Sequence, residues 1–148
     1  MKLAARFATV IYVTFALSGC NAEFDDVSET PEHRQVVGEL CQVQSPLNAY
    51  GVTLNVERNK RTDVIALTSL NLSGPEITFS THLPAGTTLE IIAVRKCKNC
   101  PFDDRIEYRV QPQPMPKVFS NIPVYMDLQR VAPGAIECNT LRGEMGAA

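Results

Sequence analysis

From Val36 to Cys138 the chain alternates apolar and polar residues with a period of two rather than in helical stripes. In "VTLNVE" Val52, Leu54 and Val56 share one face, with Thr53, Asn55 and Glu57 on the other. "RIEYRV" does the same with Ile106, Tyr108 and Val110, and "EITFST" with Ile77 and Phe79. "DVIALTSL" and "TLEIIAV" are more continuously apolar, the pattern of central strands covered on both faces. No stretch sustains an i, i+3, i+4, i+7 apolar series over three turns. Turn chemistry separates these runs: "ERNKRTD" suits a hairpin tip, "SGPE" a tight turn, and "HLPAGT" a turn through Pro84 and Gly86. Strands are therefore expected near 36–44, 50–57, 63–70, 76–81, 87–96, 105–111, part of 117–128, and 134–138. Seven or eight short strands at this spacing predict an all-β domain, a small antiparallel β-barrel or sandwich. "QPQPMPKV" carries three prolines that cannot donate to a ladder and reads as a polyproline-like crossover. Residues 139–148, ending in "LRGEMGAA", have no apolar pattern and are expected to form a flexible tail.

The N-terminus follows a different pattern. Lys2 and Arg6 precede eleven nearly all-apolar residues, Phe7 to Leu17, and then the small Ser18 and Gly19. That order is the layout of a secretory signal peptide over residues 1–19. The apolar core falls well short of the ~20 residues needed to span a bilayer.

The four residues Leu17-Ser18-Gly19-Cys20 that close this segment resemble the lipobox of bacterial lipoproteins. The resemblance covers only the first twenty residues. It implies cleavage before Cys20 and acylation of Cys20, palmitate-type chains anchoring the protein to a membrane. Each buried methylene contributes ~0.8 kcal/mol, and more than one chain makes anchoring stable. Asn21 stands where an inner-membrane retention signal would place Asp. In a Gram-negative host, the resemblance therefore implies an outer-membrane anchor in the cell envelope, facing the periplasm, with a surface-exposed orientation as the alternative.

Removing residues 1–19 leaves 129 residues, about one domain, with twelve basic side chains against sixteen acidic ones. The acidic excess is concentrated in Asn21–Gln35, where Glu23, Asp25, Asp26, Glu29 and Glu32 face Arg34 alone. With few large apolar residues, this stretch is expected to be a flexible tether over residues 20–35. Its typical coil span would be ~20 Å, and ~50 Å if drawn out. His33 within it is expected to be solvated. Between Val36 and Cys138 ten basic residues balance ten acidic ones, so no cationic field argues for nucleic acid.

With Cys20 assigned to lipid, Cys41, Cys97, Cys100 and Cys138 remain, an even number that in a small exported domain reads as two disulfides. In an extended strand Cys97 and Cys100 would be ~10 Å apart, too far to bridge, but a turn brings that spacing under ~7 Å. Asn99 and Pro101 favour such a turn. Cys41 lies in the first expected strand of the domain and Cys138 in the last, which barrel closure would bring together. The preferred pairing is Cys97–Cys100 with Cys41–Cys138, and the crossed pairings stay open.

Sharper chemistry finds little support. "CKNC" has thioredoxin-like spacing, and Lys96 and Lys98 would favour a thiolate, but the motif follows a strand and lacks a βαβ setting. A four-cysteine zinc site needs two close pairs, and one is visible. His82 is the one histidine beyond the acidic stretch, and no GxSxG or HExxH signature accompanies it. Asp103 and Asp104 are neighbours that suit a turn better than an acid/base pair. The sequence thus leads to a non-enzymatic reading, with no catalytic, metal or cofactor site assigned. Two basic clusters are candidate binding residues: Arg58, Lys60 and Arg61 at one hairpin tip, and Arg95, Lys96 and Lys98 beside "CKNC". Their bland reading is that charged tips keep hairpins soluble and block edge pairing. Tyr50, Phe102, Phe119 and Tyr125 suit either a partner surface or the core. The leading expectation is a lipid-anchored protein-binding module of the envelope, an inhibitor, immunity-type or assembly-accessory protein. Behind it stand a glycan- or lipid-binding module, and a thiol-disulfide oxidoreductase acting through Cys97 and Cys100.

Overall fold

The computed structural model describes residues 22–56, 61–100 and 104–139. It is an all-β, disulfide-stapled fold with nine strands: β1 (Phe24–Asp26), β2 (Leu40–Val43), β3 (Leu47–Val52), β4 (Val64–Thr68), β5 (Ile77–Leu83), β6 (Thr88–Cys97), β7 (Ile106–Gln113), β8 (Val124–Met126) and β9 (Ile136–Glu137). Short 3-10 turns at Lys117–Phe119 and Leu128–Arg130 flank β8. The strands form one sheet in the order β5-β3-β4-β8-β7-β6-β2-β9, and β1 pairs with the end of β6 that β2 leaves uncovered. Every pairing is antiparallel except β4 with β8. The sheet does not close into a barrel. It curls so that Leu47 and Ile65 from one half, Leu89, Ile91 and Val110 from the other, and Ile136 at the far edge share one buried cluster.

Several elements differ from their sequence-based bounds for identifiable reasons. The strand expected at 50–57 starts three residues earlier and ends at Val52. Its core face carries Leu47, Ala49 and Gly51, so Val52 lies on the opposite face and Leu54 is 72% exposed. The "VTLNVE" alternation is thus out of phase with the real strand, and the face is decided by Leu47 and Ala49 pairing between β4 and β5. Gly51 matters here, because a Cβ would collide with the Phe79 ring and lie 2.6 Å from Thr78 Oγ1. The aromatic ring of edge strand β5 occupies the space that a side chain would take.

In β6 the continuous apolar run "LEIIAV" does not mean that both faces are covered. A bulge between Ile91 and Ala93 changes the phase, so Leu89, Ile91 and Val94 are buried while Ile92 points outward. Ile106, Tyr108 and Val110 share one face of β7 as expected, with Tyr108 and Val110 fully buried. The expected polyproline crossover is partly wrong. β7 continues through Gln113, with Pro112 opposite Leu89 and beyond Val110, the last residue that β8 pairs. Pro112 therefore sits where one side of the strand has no neighbour in the ladder. The turn "HLPAGT" does not form a hairpin. It carries the chain from β5, the edge of one half, to β6 in the other, with Gly86 at φ 83° donating its N–H to Val43 O (2.7 Å).

The largest correction concerns the acidic stretch. The expected tether is folded over its described part, residues 22–35. Phe24, Asp25 and Asp26 pair opposite Cys97, Lys96 and Arg95. Val27 N–H donates to Val94 O (2.9 Å), and the Ser28 hydroxyl accepts from Val94 N–H (2.9 Å). Hydrogen-bonded turns follow to Gly38, and His33 is buried at 7% exposure rather than solvated. Composition describes the stretch in isolation, whereas its backbone pairs with the end of β6 and Val27 packs against the core cluster. The expected signal peptide over residues 1–19, Cys20, and the expected tail beyond Asn139 lie outside the described residues.

Candidate functional site

Both disulfides of the preferred pairing are present. Cys41 and Cys138 are linked with Cα atoms 4.3 Å apart, and Cys97 and Cys100 at 5.7 Å. The long-range bond arises without barrel closure, because β2 and β9 pair directly, Gln42 opposite Glu137 and Val43 opposite Ile136. The next pair in that register is Cys41 and Cys138. The short bond closes the turn between β6 and β7.

This turn also clasps the N-terminal strand. Glu23 N–H donates to Asn99 Oδ1 (2.8 Å), and Lys98 N–H donates to Glu23 O (2.8 Å). Next to it, on the outer face of the sheet, the Arg95 guanidinium contacts the Phe24 ring (4.1 Å to the centroid) and the Tyr125 ring (3.4 Å). Arg95 Nε donates to Glu107 Oε2 (2.8 Å), and Nη2 donates to the same oxygen. Arg105 Nε lies 3.4 Å from Glu107 Oε1, and its guanidinium is 5.3 Å from the Phe24 ring. Such cation–π contacts contribute about 0.5–2 kcal/mol each, more when desolvated. The Glu107 side chain is only 14% exposed and is paired by two guanidiniums, Arg95 and Arg105. The arrangement joins β1, β6, β7 and β8 and is a brace rather than an open anion site.

The sequence-predicted cluster Arg95, Lys96 and Lys98 therefore splits. Arg95 is engaged in the brace, Lys96 pairs with Asp104 (3.6 Å) in solvent, and the Lys98 side chain is exposed. From the other cluster, Arg58 and Lys60 lie outside the described residues. Arg61 lines an open recess of about 430 Å³ with Thr62, Asp63 and Ser120. A second open groove of about 320 Å³ runs along β7, lined by Ile92, Arg109, Gln111, Met115 and Ile122. Asn121, at φ 63°, lies in the wall common to both. Among the aromatic candidates, Phe119 is in the core and Tyr50 is buried, its hydroxyl accepting from Leu72 N–H (3.2 Å). Tyr125 belongs to the brace, and Phe102 lies outside the described residues. Sequence reasoning did not single out Phe24, Arg105, Glu107, Arg109, Ile92 or Met115. Of these, "RIEYRV" placed Glu107 and Arg109 on the solvent face of a strand, which was the available signal.

Two carboxyls are perturbed. Burial raises Asp127 above the ordinary carboxylate range, against the opposing Gln129 N–H bond (3.0 Å) and the Arg130 guanidinium. Asp26 is held below that range by the Ser28 hydroxyl and N–H. Among the described residues no group of three His, Cys, Asp or Glu side chains is placed to hold a metal ion. His82 is exposed in edge strand β5. Comparison with protein-family models, curated proteins and solved structures finds no match.

Proposed function

We propose that the chain is an acylated lipoprotein of the cell envelope whose β-domain acts as a non-enzymatic protein-binding module. The observation that carries the binding reading is the β7 groove. Ile92 on β6 and Met115 just after β7 are exposed apolar side chains beside the exposed Arg109 of β7, and the Arg95–Glu107–Tyr125 stack braces β6 and β7. Methionine, arginine and aromatic residues are the types enriched at protein interfaces, and a braced surface loses little freedom on docking. Arg109 has no carboxylate within ion-pair distance among the described residues, so the fitting partner presents an acidic group next to an apolar side chain. Lipid anchoring rests on Leu17-Ser18-Gly19-Cys20.

The glycan- or lipid-binding reading keeps one observation in its favour, since the groove volume falls at the lower end of the ~300–1,000 Å³ range of ligand sites. The oxidoreductase reading is weaker. Cys97 is buried and the Cys97–Cys100 turn follows a strand, and among the described residues no helix begins at the pair to stabilise a thiolate.

The test is crosslinking and capture from solubilised envelopes of the native host, with radiolabelled palmitate reporting acylation. A discrete protein should be captured by the natural chain and lost with Arg109→Glu or Ile92→Asp, while Glu32→Lys on the remote acidic turn retains it. Equal capture by all variants overturns the groove assignment. A Cys20→Ser chain that still takes up the acyl label overturns the anchor.

A further inference from the structure

The folded N-terminal segment places the domain relative to its anchor. We infer that the Cys97–Cys100 turn and β1 form the membrane-facing end of the domain, held in the headgroup layer of the bilayer by the shortness of the chain between them and Cys20. This rests on the reading of Cys20 as the acylated residue.

Glu23 is fixed to the turn by two backbone-involving hydrogen bonds, to Asn99 Oδ1 and from Lys98 N–H. From Cys20 to Glu23 there are three Cα steps. At 3.8 Å each, the turn lies within about 11 Å of the acylated residue however those steps are arranged. The polar layer on each side of a bilayer is itself about 5–8 Å thick. A leash of the whole acidic stretch would have allowed ~20–50 Å of separation. Pairing of β1 with β6 removes nearly all of that length.

The chemistry at this end suits a zwitterionic or mixed lipid surface. Lys96 and Lys98 carry exposed ammonium groups on long stems that can reach lipid phosphates. Glu23, Asp25, Asp26 and Asp104 are also exposed there, so the contact is imposed by the anchor and does not depend on a cationic field. The opposite end of β6, with the turn at Pro84–Gly86, is about 30 Å away along the strand. The β7 groove then opens to the side of the domain rather than onto the membrane.

The chain contains no tryptophan, so a single introduced indole reports one position. Lys98→Trp and Ala85→Trp change exposed side chains at the two ends. Each full chain is produced with its leader, purified from the envelope in acylated form, and reconstituted into phosphatidylcholine/phosphatidylglycerol vesicles containing brominated lipid. The Lys98→Trp chain should lose more than half its indole emission and the Ala85→Trp chain should lose little. A flexible Gly/Ser spacer of about 15 residues after Asn21, worth about 20 Å of coil, should reduce the quenching at position 98 at least twofold. Vesicle-bound protein with no quenching at position 98, equal quenching at both positions, or quenching unchanged by the spacer overturns this inference while leaving acylation intact. Absence of an acyl group on Cys20 removes the lipoprotein reading and this inference with it.

Discussion

Removing the Cys41–Cys138 bond as Cys41→Ala/Cys138→Ala tests how the open sheet keeps its far edge. The bond spans 97 residues of sequence. In the chain-entropy model, closing a loop of that length stabilises the fold by about 4.7 kcal/mol, whereas the three-residue separation of Cys97–Cys100 gives about 1.6 kcal/mol. The two bonds should therefore differ by about 3 kcal/mol. At roughly 4 °C per kcal/mol for a domain of this size, the long-range variant should melt ~19 °C below the natural chain. The enthalpic side points the same way, since Cys41 and Cys138 are both fully buried and β9 has only two residues to hold itself. Equilibrium urea unfolding followed by far-UV circular dichroism, without reductant, measures both double variants against the natural chain. If Cys97→Ser/Cys100→Ser costs as much as the long-range variant, the loop-length argument fails. A long-range variant within 1 kcal/mol of the natural chain refutes it as well, and would mean that β9 is held by its ladder alone.

Three further outcomes are expected. Gly51→Val should destabilise the domain by about 1–3 kcal/mol in urea, because the new side chain meets the Phe79 ring and Thr78 Oγ1 and must displace edge strand β5. Asn99→Ala removes the acceptor of Glu23 N–H, and amide hydrogen exchange at Phe24–Asp26 should quicken several-fold while β6 and β7 exchange as before. Asp127 has a raised folded pKa, so the folded state binds more protons than the unfolded state just above pH 3.8, and this carboxyl lowers stability as pH rises through its folded value. Asp127→Asn keeps an acceptor for Gln129 N–H and should therefore gain stability relative to the natural chain as pH rises through that window, measured as urea midpoints across acid pH. A difference between the two proteins that does not vary with pH would count against this account.

The local alternation of "RIEYRV" and the apolar content of "DVIALTSL" were sufficient for the strand class, because a period of two is a property of neighbouring residues. The same holds for the turn between Cys97 and Cys100, where spacing and turn chemistry select the short disulfide. The pairing of Cys41 with Cys138 was reachable from their places in the first and last expected strands of the domain, although the contact comes from a β2–β9 ladder and not from closure. Phase was not legible in two places. Val52, Leu54 and Val56 alternate as a core face would, but β3 is set by its partners β4 and β5, and the core side falls on Leu47 and Ala49. In β6 the bulge after Ile91 shifts the alternation so that Val94, not Ala93, joins Leu89 and Ile91 in the core, a choice made by the register with β7.

By itself the sequence determined the short-range matters: strand periodicity, turn positions, an even set of domain cysteines, and a basic-then-apolar N-terminal stretch ending in Leu17-Ser18-Gly19-Cys20. Tertiary structure decided the rest, because each remaining question depended on a residue far along the chain. Asp25 and Asp26 are an acidic run until Lys96 and Arg95 lie opposite them, and Phe24 is a lone ring until Arg95 and Arg105 stack on it. Backbone pairing with β6, some seventy residues further along the chain, turned the expected leash into the first strand of the sheet.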